Sequence, residues 1–118
     1  EGFEVVDFGT DSVESVDYPG YGKAVGKAVA GGEAEKGIVI CGSGIGISIA
    51  ANKVKGVRCA LCTSVEMAEM SRRHNDANVL AMGARMIEQD LAFEIVDKWL
   101  ATDFEGGKHL RRINMLDE

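Results

Sequence analysis

Residues 37–53 constrain this chain more than any other stretch: Gly-Ile-Val-Ile-Cys-Gly-Ser-Gly-Ile-Gly-Ile-Ser-Ile-Ala-Ala-Asn-Lys. Ile38-Val39-Ile40 is a short β-branched run, which reads as a strand buried on both faces, as in parallel sheets. Gly42, Gly44 and Gly46 follow at alternate positions and permit a tight turn with close backbone approach to a ligand. Ile45, Ile49 and Ala50 then recur at helical spacing. The order is strand, glycine turn, helix. A helix N-terminus carries N–H groups without intrahelical partners and favours an anion. Cys41 stands at the carboxyl end of the strand, where open α/β sheets place their ligands. The spacing is neither the dinucleotide fingerprint Gly-x-Gly-x-x-Gly nor a nucleotide P-loop, which ends in Gly-Lys-Ser/Thr. Alone, the turn fits an oxyanion site beside a cysteine, or a tight connection with a buried, inert Cys41.

The rest of the chain alternates in the same way. Phe3, Val5, Val6 and Phe8 mark a strand over residues 1–9. Asp17 reads as a cap, with Pro19 in the first turn of a helix that ends at Gly31-Gly32. The glycine-turn helix is expected to close at Gly56, and residues 57–62 to form a strand. Thr63-Ser64-Val65-Glu66 fits a capping box with Thr63 as cap and Glu66 reaching back, opening a helix to about His74. Residues 78–82 read as a strand ending at Gly83. A helix over about 88–101 buries Leu91, Ile95 and Trp99, with Glu94 and Lys98 paired on its surface. A basic helix follows from Lys108 to about Met115. This alternation predicts an α/β fold: a three-layer αβα sandwich around an open, Rossmann-like parallel sheet, with residues 1–118 as one domain.

Charge and composition remove several function classes. A net charge of −6 argues against a nucleic-acid partner. No apolar run approaches the roughly 20 residues of a membrane span. Three cysteines is an odd, sparse count that fits a reducing cytoplasm better than a disulfide framework. Cys59 and Cys62 are three apart on a strand, so they point to opposite faces and read as core; no second pair completes a zinc site.

Other residues have chemistry to offer. His74-Asn75-Asp76 closes a helix, which suits a C-terminal cap or, since imidazole titrates near neutrality, an acid or base. Lys108 and Arg112 lie four apart on one helical face in an acidic chain, which suits a phosphate or a solvated surface. Arg85 follows the Gly83 turn on the predicted ligand edge, where a salt bridge is an equal reading.

Together, Val16-Asp17-Tyr18-Pro19, Ile40 to Lys53, His74-Asn75-Asp76-Ala77-Asn78 and Phe104-Glu105-Gly106-Gly107-Lys108-His109 resemble ribose-5-phosphate isomerase type B, of the ribose/galactose isomerase family. The resemblance spans essentially the whole chain. It implies a cofactor-free and metal-free interconversion of ribose 5-phosphate and ribulose 5-phosphate through an enediolate, within the pentose phosphate pathway. It casts Cys41 as the base, with Ser43 beside it. Backbone N–H groups across Gly42, Ser43, Gly44, Ile45 and Gly46 become the enediolate cradle. His74 becomes the ring-opening residue and Asn75 a sugar contact. Arg85, Lys108 and Arg112 fall at substrate positions, largely for the phosphate. It implies a homodimer, or a dimer of dimers, whose sites take residues from both subunits. The partial positive charge at the helix start favours a thiolate and a developing oxyanion alike.

Relatives acting on galactose or allose 6-phosphate share the scaffold, so a hexose 6-phosphate is the alternative substrate. A non-catalytic phosphosugar-binding domain is the other alternative. Ser43 stands where the family usually has Thr, and Lys108 where Arg is commoner; Lys keeps the charge and loses the bidentate fork. The family also opens with a strand ending in Asp-His and then a helix, whereas Glu1 here aligns with the approach to the second strand. The expectation is a natural protein with roughly 25 further N-terminal residues, a strand plus a helix. The extra strand would lie between residues 4–8 and 37–40.

Overall fold

The computed structural model describes residues 18–117. The expected strand over residues 1–9, the Asp17 cap and the proposed slot for a further strand involve residues outside these. The described elements are α1 (Tyr18–Ala30), β1 (Gly37–Cys41), α2 (Ile45–Asn52), β2 (Cys59–Leu61), α3 (Val65–Asn75), β3 (Val79–Gly83), α4 (Gln89–Ala101) and α5 (Lys108–Leu116). The strands form a parallel sheet in the order β1-β3-β2. Gly37 pairs with Val79 and Cys41 with Gly83, while Cys59 pairs with Val79 on the other side.

Side chains alternate across the sheet, and this alternation builds two cores. On one face Val39, Val79 and Ala81 pack with Val29 of α1 and Ile47 and Ala51 of α2. On the other, Leu80 and Met82 pack with Ala68 of α3 and Ile95 and Trp99 of α4. The result is the three-layer αβα sandwich. Helices α1 and α2 meet closely because Gly22 and Gly26 offer no side chain: a Cβ on Gly22 would lie 3.0 Å from Ala50 Cβ.

Several expectations are corrected. The strand buried on both faces is β3, every residue of which is buried, and not β1. Ile38 and Ile40 are 38% and 54% exposed. They share the face of Leu80 and Met82, but the core around Trp99 takes nothing from β1. Helix α2 ends at Asn52, with Lys53 as its C-cap, and Gly56 sits in the turn beyond at φ 91°. The strand expected over residues 57–62 is only Cys59–Leu61. The cap of α3 is Ser64, whose side chain accepts from the Met67 N–H at 3.1 Å. With Ser64 as cap the third helical residue is Met67, so Glu66 cannot close a capping box. Glu94 and Lys98 form no ion pair among the described residues. Cys59 packs into the α1/α2 core and Cys62 into the α3/α4 core, on opposite faces as the strand period requires.

Candidate active site

The site begins where β1 stops. Cys41 is half-buried, and the Gly44 N–H donates to its sulfur at 3.2 Å. Gly44 is the N-cap of α2 and adopts φ 81°, in the left-handed region. It is fixed a second time by space: a Cβ there would lie 2.6 Å from Leu61 Cδ1 and 2.8 Å from the Met82 carbonyl carbon. The Ile45 N–H donates to Ser43 Oγ at 3.2 Å, so Ser43 helps to cap the helix. The turn therefore puts the sulfur, a hydroxyl and the first amides of α2 together, with the positive end of the helix toward them.

Two further residues complete this edge. Gly83 ends β3, and a Cβ on it would collide with the Ser43 backbone. Sequence reasoning saw Gly83 only as a strand terminator, because a backbone-to-backbone contact leaves no trace but the glycine itself. The Ala84 N–H donates to the Cys41 carbonyl at 2.8 Å and the Arg85 N–H to the Gly42 carbonyl at 2.9 Å. The Arg85 side chain lies over Gly42, its Nε 3.4 Å from where a Cβ would be. Arg85 thus stands beside the turn, exposed and in no ion pair among the described residues.

The remaining candidates gather elsewhere. His74 and Asn75 end α3, which runs back against the strands to the amino end of β3. The His74 ring stacks on His109 of α5, centroids 4.3 Å apart. Lys108 and Arg112 are exposed on the same short helix, close enough for their charges to act on His109. Glu105 binds this cluster: it accepts from Arg73 Nε, and its Oε1 lies 3.8 Å from His74 Nε2 and 3.5 Å from His109 Nε2. The hydrogen bond from Arg73 holds the Glu105 carboxyl below the usual carboxylate range. Burial, and then the neighbouring charge of His74, pushes the His109 imidazole down. This part of Glu105 and His109 is not evident from the motif that contains them. Their four-residue spacing was the available signal.

A buried arginine, Arg72, and a partly buried one, Arg58, hold the cluster's base. Arg72 donates to the carbonyls of Thr102 and Ala77 and to Asp76 Oδ1. Arg58 donates to the Asn75 and Asp76 carbonyls and pairs with Asp117 beyond α5. Asp76 itself turns the chain at φ 46°.

One chain therefore carries two separate groups. Cys41, the glycine turn and Arg85 occupy the carboxyl edge of the sheet; His74, Asn75, Lys108 and Arg112 occupy the amino edge. The four steps of β3 between them span roughly 13 Å. Among the described residues no helix is long and apolar enough to cross a membrane.

An open parallel α/β sandwich with a glycine turn and a thiol at the carboxyl edge of its strands places the candidate site where such folds bind small ligands. Comparison narrows the reading. The sequence matches the Ribose/Galactose Isomerase family over residues 1–116. It is 52% identical to ribose-5-phosphate isomerase B of Escherichia coli K12 over 115 residues, covering 98% of this chain and 77% of that protein. The fold matches Clostridium thermocellum ribose-5-phosphate isomerase B with a TM-score of 0.96 and 58% identity, covering 98% of this chain and 78% of the other. It matches the Mycoplasma genitalium ribose-5-phosphate isomerase B, solved with bound ribulose 5-phosphate, with a TM-score of 0.93 and 41% identity over 98% and 77% of the two chains. The chain belongs to the ribose/galactose isomerase family, and it is an enzyme of the isomerase class.

Proposed function

We propose that the protein interconverts ribose 5-phosphate and ribulose 5-phosphate by moving a proton between C1 and C2, without a metal or cofactor. Cys41 is the base. As a thiolate it takes the proton from C2 of the open aldose, and the electron pair moves onto O1. The enediolate is held by the amide donors of the glycine turn, each well-placed donor being worth roughly 3–4 kcal/mol. The thiol then returns the proton to C1, and the O2 hydroxyl proton passes to O1. The observation that carries this reading is the Gly44 amide on the Cys41 sulfur at the mouth of α2, in a chain of this family.

His74 opens the furanose ring, Asn75 contacts the sugar, and Arg85, Lys108 and Arg112 take the phosphate. These groups stand at opposite edges of the sheet in one chain. The working site is therefore shared: the thiol edge of one copy meets the histidine edge of a second, and the protein acts as a homodimer or a dimer of dimers. The free thiols fit a reducing cytoplasmic setting, and the reaction belongs with pentose phosphate metabolism.

The test is an isomerisation assay on the purified protein with ribose 5-phosphate, galactose 6-phosphate and allose 6-phosphate side by side. Preference for the pentose and exchange of its C2 proton with solvent are expected. Preference for a hexose phosphate would move the substrate assignment. Tight binding without C2 exchange would remove the catalytic reading.

A further inference from the structure

At the amino edge three donors converge in a way that ring opening alone does not require. We propose that His74, Glu105 and His109 bind a divalent transition-metal ion of the zinc type, and that its occupation inhibits the enzyme by withdrawing His74.

One ligand atom from each of the three residues can be chosen so that all lie within 4.8 Å of one another. The two imidazole Nε2 atoms are 3.8 and 3.5 Å from the same carboxylate oxygen, Glu105 Oε1. Tetrahedral zinc with bonds of about 2.0–2.1 Å holds its ligand atoms about 3.3 Å apart. Each carboxylate–imidazole pair therefore needs to close by about half an ångström or less, and the two stacked rings, now 14° apart in plane, must tilt away from each other so that both Nε2 atoms face one ion. Two imidazoles and one carboxylate, with a fourth position open, form a common three-ligand zinc set. Magnesium and calcium prefer all-oxygen shells and suit it poorly.

The set is held ready. The Arg73 guanidinium occupies Glu105 Oε2 and leaves Oε1 toward the rings. The Glu105 N–H donates to the Arg73 carbonyl at 3.0 Å, which ties the loop to α3. His109 follows four residues later in the first turn of α5. Lys108 and Arg112 repel a cation here, so the site fills when metal is raised and empties easily. The inhibitory half rests on the ring-opening role given to His74; the binding half does not.

Zinc chloride is titrated calorimetrically into the full chain carrying Cys41→Ser, which removes the half-exposed thiol as a competing ligand. One zinc per chain is expected, with affinity reduced at least about tenfold by Glu105→Gln and by His109→Ala. Circular dichroism checks that both variants fold, and either one suffices for the test. No stoichiometric binding, or an affinity in both variants unchanged from that of the Cys41→Ser parent, would overturn the site. In the protein with Cys41 intact, zinc should slow consumption of the cyclic aldose, and His109→Ala should resist by the same factor as its lost affinity. Binding without inhibition supports the site and counts against ring opening by His74. Absent binding overturns the site and leaves the isomerase reading standing.

Discussion

At the residue scale the three cysteines are set apart by their surroundings. Cys41 receives an amide hydrogen bond at the end of a strand. Burial, and then the neighbouring Cys62, pushes the Cys59 thiol up to about 12. Burial also raises the Cys62 thiol. Since the thiolate is the reacting form, a limiting alkylating agent should modify Cys41 first, with activity lost in step, while Cys59 and Cys62 remain unmodified until the chain unfolds. Peptide mass mapping against residual activity checks this; early labelling of Cys59 without inactivation would contradict it. Cys41→Ser should lower kcat by orders of magnitude with KM little changed, because a hydroxyl replaces the base and leaves binding groups in place. His74→Asn should slow turnover of the cyclic aldose far more than that of the open ketose, compared by initial rates in the two directions. Equal losses would remove the ring-opening role. The sequence made Cys41 visible because its context is local, a strand followed by three glycines. Glu105 and His109 were less legible, since their value comes from contacts with His74, a carboxylate approach and a ring stack, more than thirty residues away in the chain.

At the element scale the glycine turn and the α3–β3 turn each depend on a few contacts. Gly44 is fixed by its positive φ and by atoms 2.6–2.9 Å from a would-be Cβ. Gly44→Ala should cost on the order of 2–4 kcal/mol, combining backbone strain with overpacking, and should cripple the site. Denaturant unfolding measures the first effect and turnover the second. The Arg73–Glu105–His109 cluster makes stability depend on pH. Glu105 is held below its usual 4.5, so its contribution is present above pH 4.5 and lost as pH falls through the lowered folded value. His109 is held below its usual 6.5. The unfolded chain therefore takes up that proton first on acidification, and stability falls as pH drops from 6.5 toward the lowered value. His109→Gln should flatten the stability profile just below pH 6.5 and Glu105→Gln the part below pH 4.5, read from denaturant midpoints at each pH. The element pattern itself was legible where periodicity was strong, as in α4. It placed β1 as a strand but misjudged its burial, because periodicity reports apolar character. What covers β1 depends on where α3 and α4 are docked, and they lie over β3. It failed at the start of α3 because Thr63 and Ser64 are adjacent cap candidates, and only geometry separates them.

At the scale of the whole molecule the governing fact is separation. The sequence brings Cys41 and His74 into one functional reading, and the fold puts them at opposite edges of a sheet. No list of motifs along the chain reveals this. It follows from strand direction: every parallel strand presents its carboxyl end to one edge, and every returning helix ends at the other. If Cys41 and His74 serve one reaction, as proposed, a single copy cannot bring them together without unravelling the β1–β3–β2 sheet. Two copies can, and the symmetry of a two-fold dimer then yields two equivalent sites.

Complementation between two inactive variants tests this most directly. Cys41→Ser and His74→Asn proteins are mixed, unfolded and refolded together so that subunits exchange, and turnover of ribose 5-phosphate is measured against each variant alone. In a mixed dimer one site inherits both lesions and the other inherits none. Random pairing should therefore restore about a quarter of the parent activity per chain. A mixture that stays as inactive as its components, with mixed dimers confirmed by native mass, would contradict a site shared between chains.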